Sequence, residues 1–404
     1  MRKDSLQSAS EPSSQPESKP PLLWLQAIIF SSTLLIAATV VPWYGFEFGY
    51  SWGLVACALT FLWANGLAIT AGYHRLWSHN AYKAHPALRI LLALFGAAAL
   101  QNSILIWASG HRRHHRHVDD TERDPYSAKR GLWFSHIGWM LREYDTNKED
   151  FSNAKDLQRD PIVMWQHRHY LTIALSMNFI PPLLIGWAIG DIWGSLLLAG
   201  VLRLVISHHS TFFINSLAHF WGKQPYTDKN SARDNSLLAL LTYGEGYHNF
   251  HHLFQNDYRN GIRWWHFDPT KWLIKASTWV GLSKDLSRIP DFKIDRALLD
   301  MQFKRAEKKL ATINKSPAWI QQLRQCLDSE YQQFSQSMNE WNELRQQWYE
   351  QKRDIFNAAT HELSEELHQK WQKTSLHNRI QELEYSLKMQ RKRISSLTLE
   401  LAAV

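Results

Sequence analysis

Four apolar stretches of bilayer-spanning length dominate the chain: Leu22 to Tyr44, Trp52 to Gly72, Tyr170 to Gly190 and Ile192 to Ile214. Each is close to the roughly 20 residues a helix needs to cross hydrocarbon. Only helices and closed barrels satisfy their backbone groups in lipid, and runs this long and continuous specify helices. Short connections, 45–51 and Gly190-Asp191, join them into two hairpins. The predicted fold is all-α: an integral-membrane four-helix bundle with a helical cap on one face. The hairpin connections hold no Lys or Arg, whereas the segment from Gly72 to His169 holds 14, which puts that segment in the cytoplasm.

A mean hydropathy of −0.36 would suggest a water-soluble protein. The average mixes an apolar, tryptophan-rich part, up to about Leu282, with a charged tail. The net charge of +8 is accounted for by cytoplasmic flanks of membrane spans, and no nucleic-acid motif accompanies it. With Cys57 and Cys326 the only cysteines, neither a disulfide framework nor a thiolate metal site is available. Any metal must rest on imidazole and carboxylate.

Imidazole is abundant, with 20 histidines in the chain. Nine fall into four groups: His74 and His79; His111, His114 and His115; His219; and His248, His251 and His252. On a helix, residues three or four apart share a face, so each H-x-x-H-H triplet can turn three rings to one side. Nine nitrogen ligands exceed what one ion needs and point to two ions close together. A lone histidine is usually a core or surface residue; four groups beside membrane spans are not explained that way. Arg203, His208 and His209, inside the fourth span, are expected to face the bundle interior.

A shared centre restricts the run from Ala87 to Trp107, which hydropathy alone would make a fifth span. If it crossed, the first and second histidine groups would lie on opposite faces, some 30 Å apart. The run is therefore expected to re-enter or to lie in the interface, with Gln101, Asn102 and Ser103 turned inward.

The three boxes, H-x-x-x-x-H at His74, H-x-x-H-H at His111 and H-x-x-H-H at His248, resemble those of the membrane acyl-CoA desaturases of the stearoyl-CoA type. Asn215-Ser-Leu-Ala-His219, Asp124-Pro125, Gly131-Leu-Trp-Phe-Ser-His136-Ile-Gly-Trp139 and Trp265-His-Phe-Asp-Pro-Thr270 resemble further landmarks of that family, over residues 22 to 282. The resemblance implies two iron ions held by the nine histidines, with Asn215 acting through water, and O2 as co-substrate. It also implies that Gln101, Trp107 and Thr211 line a bent acyl tunnel and that a cis double bond results, at the delta-9 position. Where mammalian members place an Arg-Asp pair against coenzyme A, this chain has Ser109-Gly110, and a later basic pair is replaced by Glu143-Tyr144. The implied substrate is a saturated acyl chain on coenzyme A or on a lipid. The likeness is to bacterial members, implying the bacterial inner membrane, with the active site on its cytoplasmic face.

An unactivated methylene C–H has no acidity for a side-chain base to use, so its hydrogen must leave as an atom, with chemistry supplied by metal and oxygen. Glu245 and Asp119 or Asp120 are expected to orient the ligand histidines. No His-Pro-Gly-Gly haem signature occurs, so electrons are expected from a separate ferredoxin, cytochrome b5 or flavin reductase. One alternative is a hydroxylase of alkyl or acyl chains with the same ligands; the N-S-L-A-H and G-E-G-Y-H-N-F-H-H wording favours desaturation. A non-enzymatic metal carrier would want ligands along a path through the spans, but these groups sit at span ends.

Three parts are expected: a disordered lead (1–21), the membrane domain (22–290) and a helical extension (291–404). Ser316-Pro317 reads as an N-cap and first helical residue. Ile320, Leu327, Phe334, Trp341, Trp348 and Ile355 recur every seven residues, as do Ile380, Leu387, Ile394 and Leu401, with Leu383 and Leu397 between them. This is a coiled-coil or helical-hairpin pattern, suited to oligomer or partner contacts.

Overall fold

The computed structural model describes residues 19–310, 317–357 and 377–390, with single positions 374, 392, 393 and 396. Among the described residues, four helices are long and apolar enough to cross a membrane: α1 Trp24–Glu47, α2 Trp52–Ser78, and a second pair Tyr170–Ile189 and Ile192–Phe220. Ser51 caps α2 by accepting from the Leu54 amide. The second pair is joined through Gly190, at φ +84, and a Cβ on Gly186 would fall 2.6 Å from the Ile192 Cα, so glycine permits that tight return. At this end Tyr44 donates to Asp191 (2.7 Å), fastening one hairpin to the other. Exposed Trp43, Trp52, Trp187 and Trp193 surround the same end, as aromatic residues do at a lipid–water boundary.

Two spans outrun their expected limits. Instead of ending at Gly72, the second continues to Ser78 through π-helical turns from Ala68, and the fourth, instead of ending at Ile214, reaches Phe220 across a break at Ser216; both carry histidines beyond the apolar zone. Pro181 and Pro182 do not interrupt the third span, which is helical throughout; the Pro182 carbonyl accepts from Ser195 across the hairpin (2.6 Å).

Between the hairpins, α3 (Pro86–Ala97) is apolar but only 12 residues long, and α4 follows at Ile104–His117. The chain reverses through Leu100 and Asn102, both at positive φ. Buried carbonyls at this turn need donors, and ionisable residues of the bundle supply them. Asn65 donates to Phe95 O (2.7 Å), Arg203 to Ala98 O (2.7 Å) and His208 to Ala99 O (2.8 Å). Arg203 also donates to Asn178 and lies over the Phe61 ring. Arg203 and His208 thus hold the re-entrant segment, whereas His209, expected to face the interior with them, turns outward to His136.

The cap continues with α5 (Leu132–His136) and α6 (Pro161–Arg168); the two spans above are α7 and α8. It closes with α9 (Ser236–Leu241), α10 (His248–Leu253) and α11 (Pro269–Trp279). Lys83-Ala84 pairs antiparallel with Ser283-Lys284, tying the two ends of the cap together. The lead is anchored sooner than expected: Pro20 and Pro21 carbonyls accept from Arg142 and Glu143. Residues 1–18 lie outside the described residues.

In the extension, α12 spans Asp291–Leu310, beginning before the expected helix, and α13 spans Pro317–Asn357. Phe334, Met338 and Trp341 pack with Leu383 and Leu387 and with Leu299 of α12. Ser316, Ile394, Leu397 and Leu401, and the side chains of Ile320, Leu327, Trp348 and Ile355, lie outside the described residues.

Candidate metal centre

The nine histidines form two adjoining sets. His74, His79, His111, His115 and His251 make one; His114, His219, His248 and His252 make the other. Within each set the nearest ring nitrogens all lie within 4.8 Å of one another. Extension of α2 and α8 past the apolar zone delivers His74 and His219, while α4 and α10 each send members to both sets.

Hydrogen-bond direction shows what the rings turn inward. His74 Nδ1 lies 2.9 Å from Glu245, and His114 Nδ1 lies 2.9 Å from Asp124. His219 Nδ1 lies 2.8 Å from Ser231, whose hydroxyl donates to Asp119. Each Nδ1 faces an acceptor and therefore carries the proton, leaving the Nε2 lone pair free. Those Nε2 atoms nonetheless sit close to other rings: His74 to His251 at 3.0 Å, His219 to His248 at 3.1 Å and His114 to His252 at 3.3 Å. His79 and His111 stand at 2.9 Å, and His251 and His115 at 3.0 Å. Lone pairs brought together in this way call for a cation. Imidazole nitrogens about 2.0–2.1 Å from a first-row ion and at right angles would be about 2.9 Å apart, which matches the spacing found. The donor set, all imidazole with carboxylates behind it, suits a first-row transition metal such as iron, zinc, copper or nickel.

Burial pushes the imidazoles of His79, His111, His115, His248, His251 and His252 well below the ordinary histidine range, and neighbouring rings add to the effect. The rings are thus held in their neutral, ligating form. Burial alone would raise the Glu245 carboxyl; His74 and Arg75 overcome it and hold the group at about 2.

Of the carboxylates expected behind the histidines, Glu245 and Asp119 take that position. Asp120 does not; its side chain accepts from the Glu122 and Arg123 amides and serves the local turn. Asp124 was not singled out, although Asp124-Pro125 stood among the landmarks. Arg75, between the two histidines of the first box, was missed as well. It is buried and donates to Glu245 (2.8 Å), to both oxygens of Asp268 (3.0 and 3.1 Å) and to Tyr258 O (2.7 Å). One guanidinium thus joins the first box to the third and to the Asp of Trp-His-Phe-Asp-Pro-Thr.

Gln101, Trp107 and Thr211 come together. Trp107 Nε1 donates to Gln101 (3.3 Å), and Gln101 Nε2 donates to Thr211 (2.9 Å). The Trp107 ring stacks on His111, with centroids 4.9 Å apart and planes 23° apart. Asn215 closes the straight part of α8 four residues before His219, where the helix breaks at Ser216. Ser109 is buried and bonded to Asn153 (2.8 Å), so it faces the cap interior.

The model of the fatty acid desaturase family matches residues 50–279. The chain is 49% identical over 251 residues to a probable acyl-CoA desaturase of Schizosaccharomyces pombe, covering 62% of this chain and 52% of that one. It is 42% identical over 301 residues to acyl-CoA desaturase 1 of Saccharomyces cerevisiae, covering 73% and 58%. Similarity to the sn-2 palmitoyl-lipid 9-desaturase of Nostoc is 35% over 279 residues, covering 67% and 92%. The match thus spans little more than half of either yeast protein. With the histidine boxes converging as described, the chain belongs to the fatty acid desaturase family.

Proposed function

We propose that this protein is an oxygen-dependent desaturase that introduces a cis double bond, at the delta-9 position, into a saturated fatty-acyl chain. The observation that carries the reading is the convergence of nine histidines in two adjoining sets beside a polar clamp of Gln101, Trp107 and Thr211. In this reading the five-histidine set and the four-histidine set each hold one iron, with Asn215 completing the smaller set through water. When bound, the pair supplies oxygen activation and removal of two hydrogen atoms from adjacent methylenes. The overall change balances as –CH2–CH2– plus O2, two electrons and two protons giving –CH=CH– and two waters.

The chain's own residues orient and enclose. Glu245, Asp124 and the Asp119–Ser231 pair fix the tautomers of His74, His114 and His219 and raise their basicity as ligands. Trp107, packed on His111, sets the depth at which an acyl chain passes the centre, and the Gln101–Thr211 bond closes one side of that passage. A chain held bent there loses its two hydrogens in the geometry that yields a cis bond.

The carrier in this reading is coenzyme A, as the names of the two yeast relatives state for those proteins. A lipid-linked chain is the second reading, because Ser109 and Gly110 stand where a charged pair meets coenzyme A in mammalian members and Ser109 is turned inward. Electrons come from a separate ferredoxin, cytochrome b5 or flavin reductase. The cap lies on the cytoplasmic face, of the inner membrane in a bacterial host, as the basic residues between the hairpins indicate.

Expression in a host without desaturases, followed by lipid analysis, tests the proposal. A cis-9 monounsaturated chain from the unaltered protein, and none from His252→Ala, is expected; a hydroxylated chain would replace desaturation by the hydroxylase reading.

A further inference from the structure

A second pair of histidines, unconnected with the metal sets, lies on the lipid side of the bundle. His136, at the end of α5, has Nδ1 2.9 Å from Ser216 Oγ and Nε2 3.0 Å from His209 Nδ1. Ser216 fixes the direction of this chain. Its hydroxyl has one proton, and that proton goes to the Phe212 carbonyl 2.7 Å away. Were it given to His136 instead, oxygen lone pairs would face each other at that distance. His136 therefore donates through Nδ1, its Nε2 accepts from His209 Nδ1–H, and His209 Nε2 is left as a bare acceptor. Among the described residues, His209 Nε2 makes no hydrogen bond.

His209 lines a cavity of about 200 Å³ between α1, α5 and α8, whose other walls include Phe30, Leu34, Trp133, Ile137 and Val205. Leu34 and Trp133 are also exposed on the lipid-facing surface, so the cavity is continuous with the hydrocarbon around α1. The recess is mostly apolar, with hydroxyls only on Ser31 and Thr33, neither bonded to His209. An acceptor without a donor there is costly unless something supplies a proton donor. The volume exceeds that of cavities that take up a benzene-sized molecule, yet it is too small for two acyl chains.

We propose that this recess is a binding site for a single-chain amphiphile, entered from the bilayer, whose head group donates one O–H to His209 Nε2 while its hydrocarbon runs along Phe30, Leu34 and Val205. A fatty acid in its acid form and a fatty alcohol share that chemistry. The site is separate from the Gln101–Trp107–Thr211 clamp, and occupancy requires no turnover.

The test uses the full chain in phosphatidylcholine nanodiscs with three photoreactive diazirine probes: palmitic acid, its alcohol and its methyl ester. Peptides containing Phe30 to Leu34 and Trp133 to Ile137 should be labelled by the acid and the alcohol about fivefold more than by the ester, the worth of one hydrogen bond. Labelling by the acid alone would identify free fatty acid as the ligand. His209→Phe should bring acid labelling down to the ester level, and His209→Gln, which keeps an acceptor, should restore it. Equal labelling by the ester, or label confined to peptides around Gln101 and Trp107, would overturn the proposal. The ester comparison decides on the unaltered protein even if His209→Phe fails to fold. Since labelling needs neither oxygen nor electrons, its failure leaves the desaturase reading untouched.

Discussion

His74 Nδ1 rests 2.9 Å from Oε2 of Glu245, so a histidine of the first box is oriented by a carboxylate just ahead of the third. The same carboxylate neutralises Arg75, and Asn260 donates to it (2.6 Å). Glu245→Gln should therefore lower iron affinity about 10- to 100-fold, the usual effect of losing such a partner. Iron retention against a chelator measures this, and wild-type retention would refute it. A separate loss of thermal stability is expected, because Arg75 keeps only Asp268 as a charged partner.

Iron-free protein should be acid-sensitive. The six imidazoles with depressed values bind fewer protons folded than unfolded once the pH falls below about 6.5. Stability is thus fully present above that pH and declines below it, by up to about 1.4 kcal/mol per pH unit for each group. Melting temperatures of chelated protein in detergent from pH 8 to pH 5 check the sign; a flat profile contradicts the buried, neutral cluster.

Gln101→Leu removes both hydrogen bonds of the clamp while preserving much of its bulk. Desaturation should fall about tenfold or more, as one misplaced positioning group costs, with iron content unchanged. Loss of iron in parallel would mean that Gln101 supports the centre rather than the acyl chain.

Cysteines introduced singly in place of Lys83 and Lys129, both on the exposed surface of the cap, should react with an impermeant thiol reagent from the same side of the membrane. Labelling from opposite sides would require α3 and α4 to cross, and would break the shared site. Arg203→Leu should loosen this segment, since the Ala98 carbonyl would lose its donor.

Removal of residues 316–404 should leave iron binding intact. The α12 residues Ile294 and Ala297 pack with Tyr226 and Phe250, and Lys304 pairs with Asp228, all independently of α13. The truncated protein should aggregate more readily, because Leu299 would lose its cover of Phe334, Trp341, Leu383 and Leu387. Metal analysis and size-exclusion chromatography on the truncated chain separate the two effects; loss of iron from a folded sample would place part of the centre's support in the extension.

Much of this architecture is readable along the chain because it depends on periodic, local signals. Four long apolar runs require four helices, and the H-x-x-H-H spacing puts three rings on one helical face whatever the surroundings. The parity argument also kept Ala87 to Trp107 from being a span, and α3 is short and pinned as that reasoning requires. What could not be read is pairing between distant positions. Nothing local to His114 says that its partner is Asp124 rather than Asp120, because both carboxylates lie within one turn-rich segment and only the chain's path through Asp119, at positive φ, selects between them. Nor does the sequence divide His111, His114 and His115 between two sets. That depends on the rotation of α4 against α2, α8 and α10, which the Arg75–Glu245–Asp268 network and the Arg203 and His208 bonds to the α3 turn fix. Composition and spacing determined that two metals could be held in a membrane bundle; tertiary packing decided which nitrogen meets which, because an imidazole's direction is set by the acceptor on its other side.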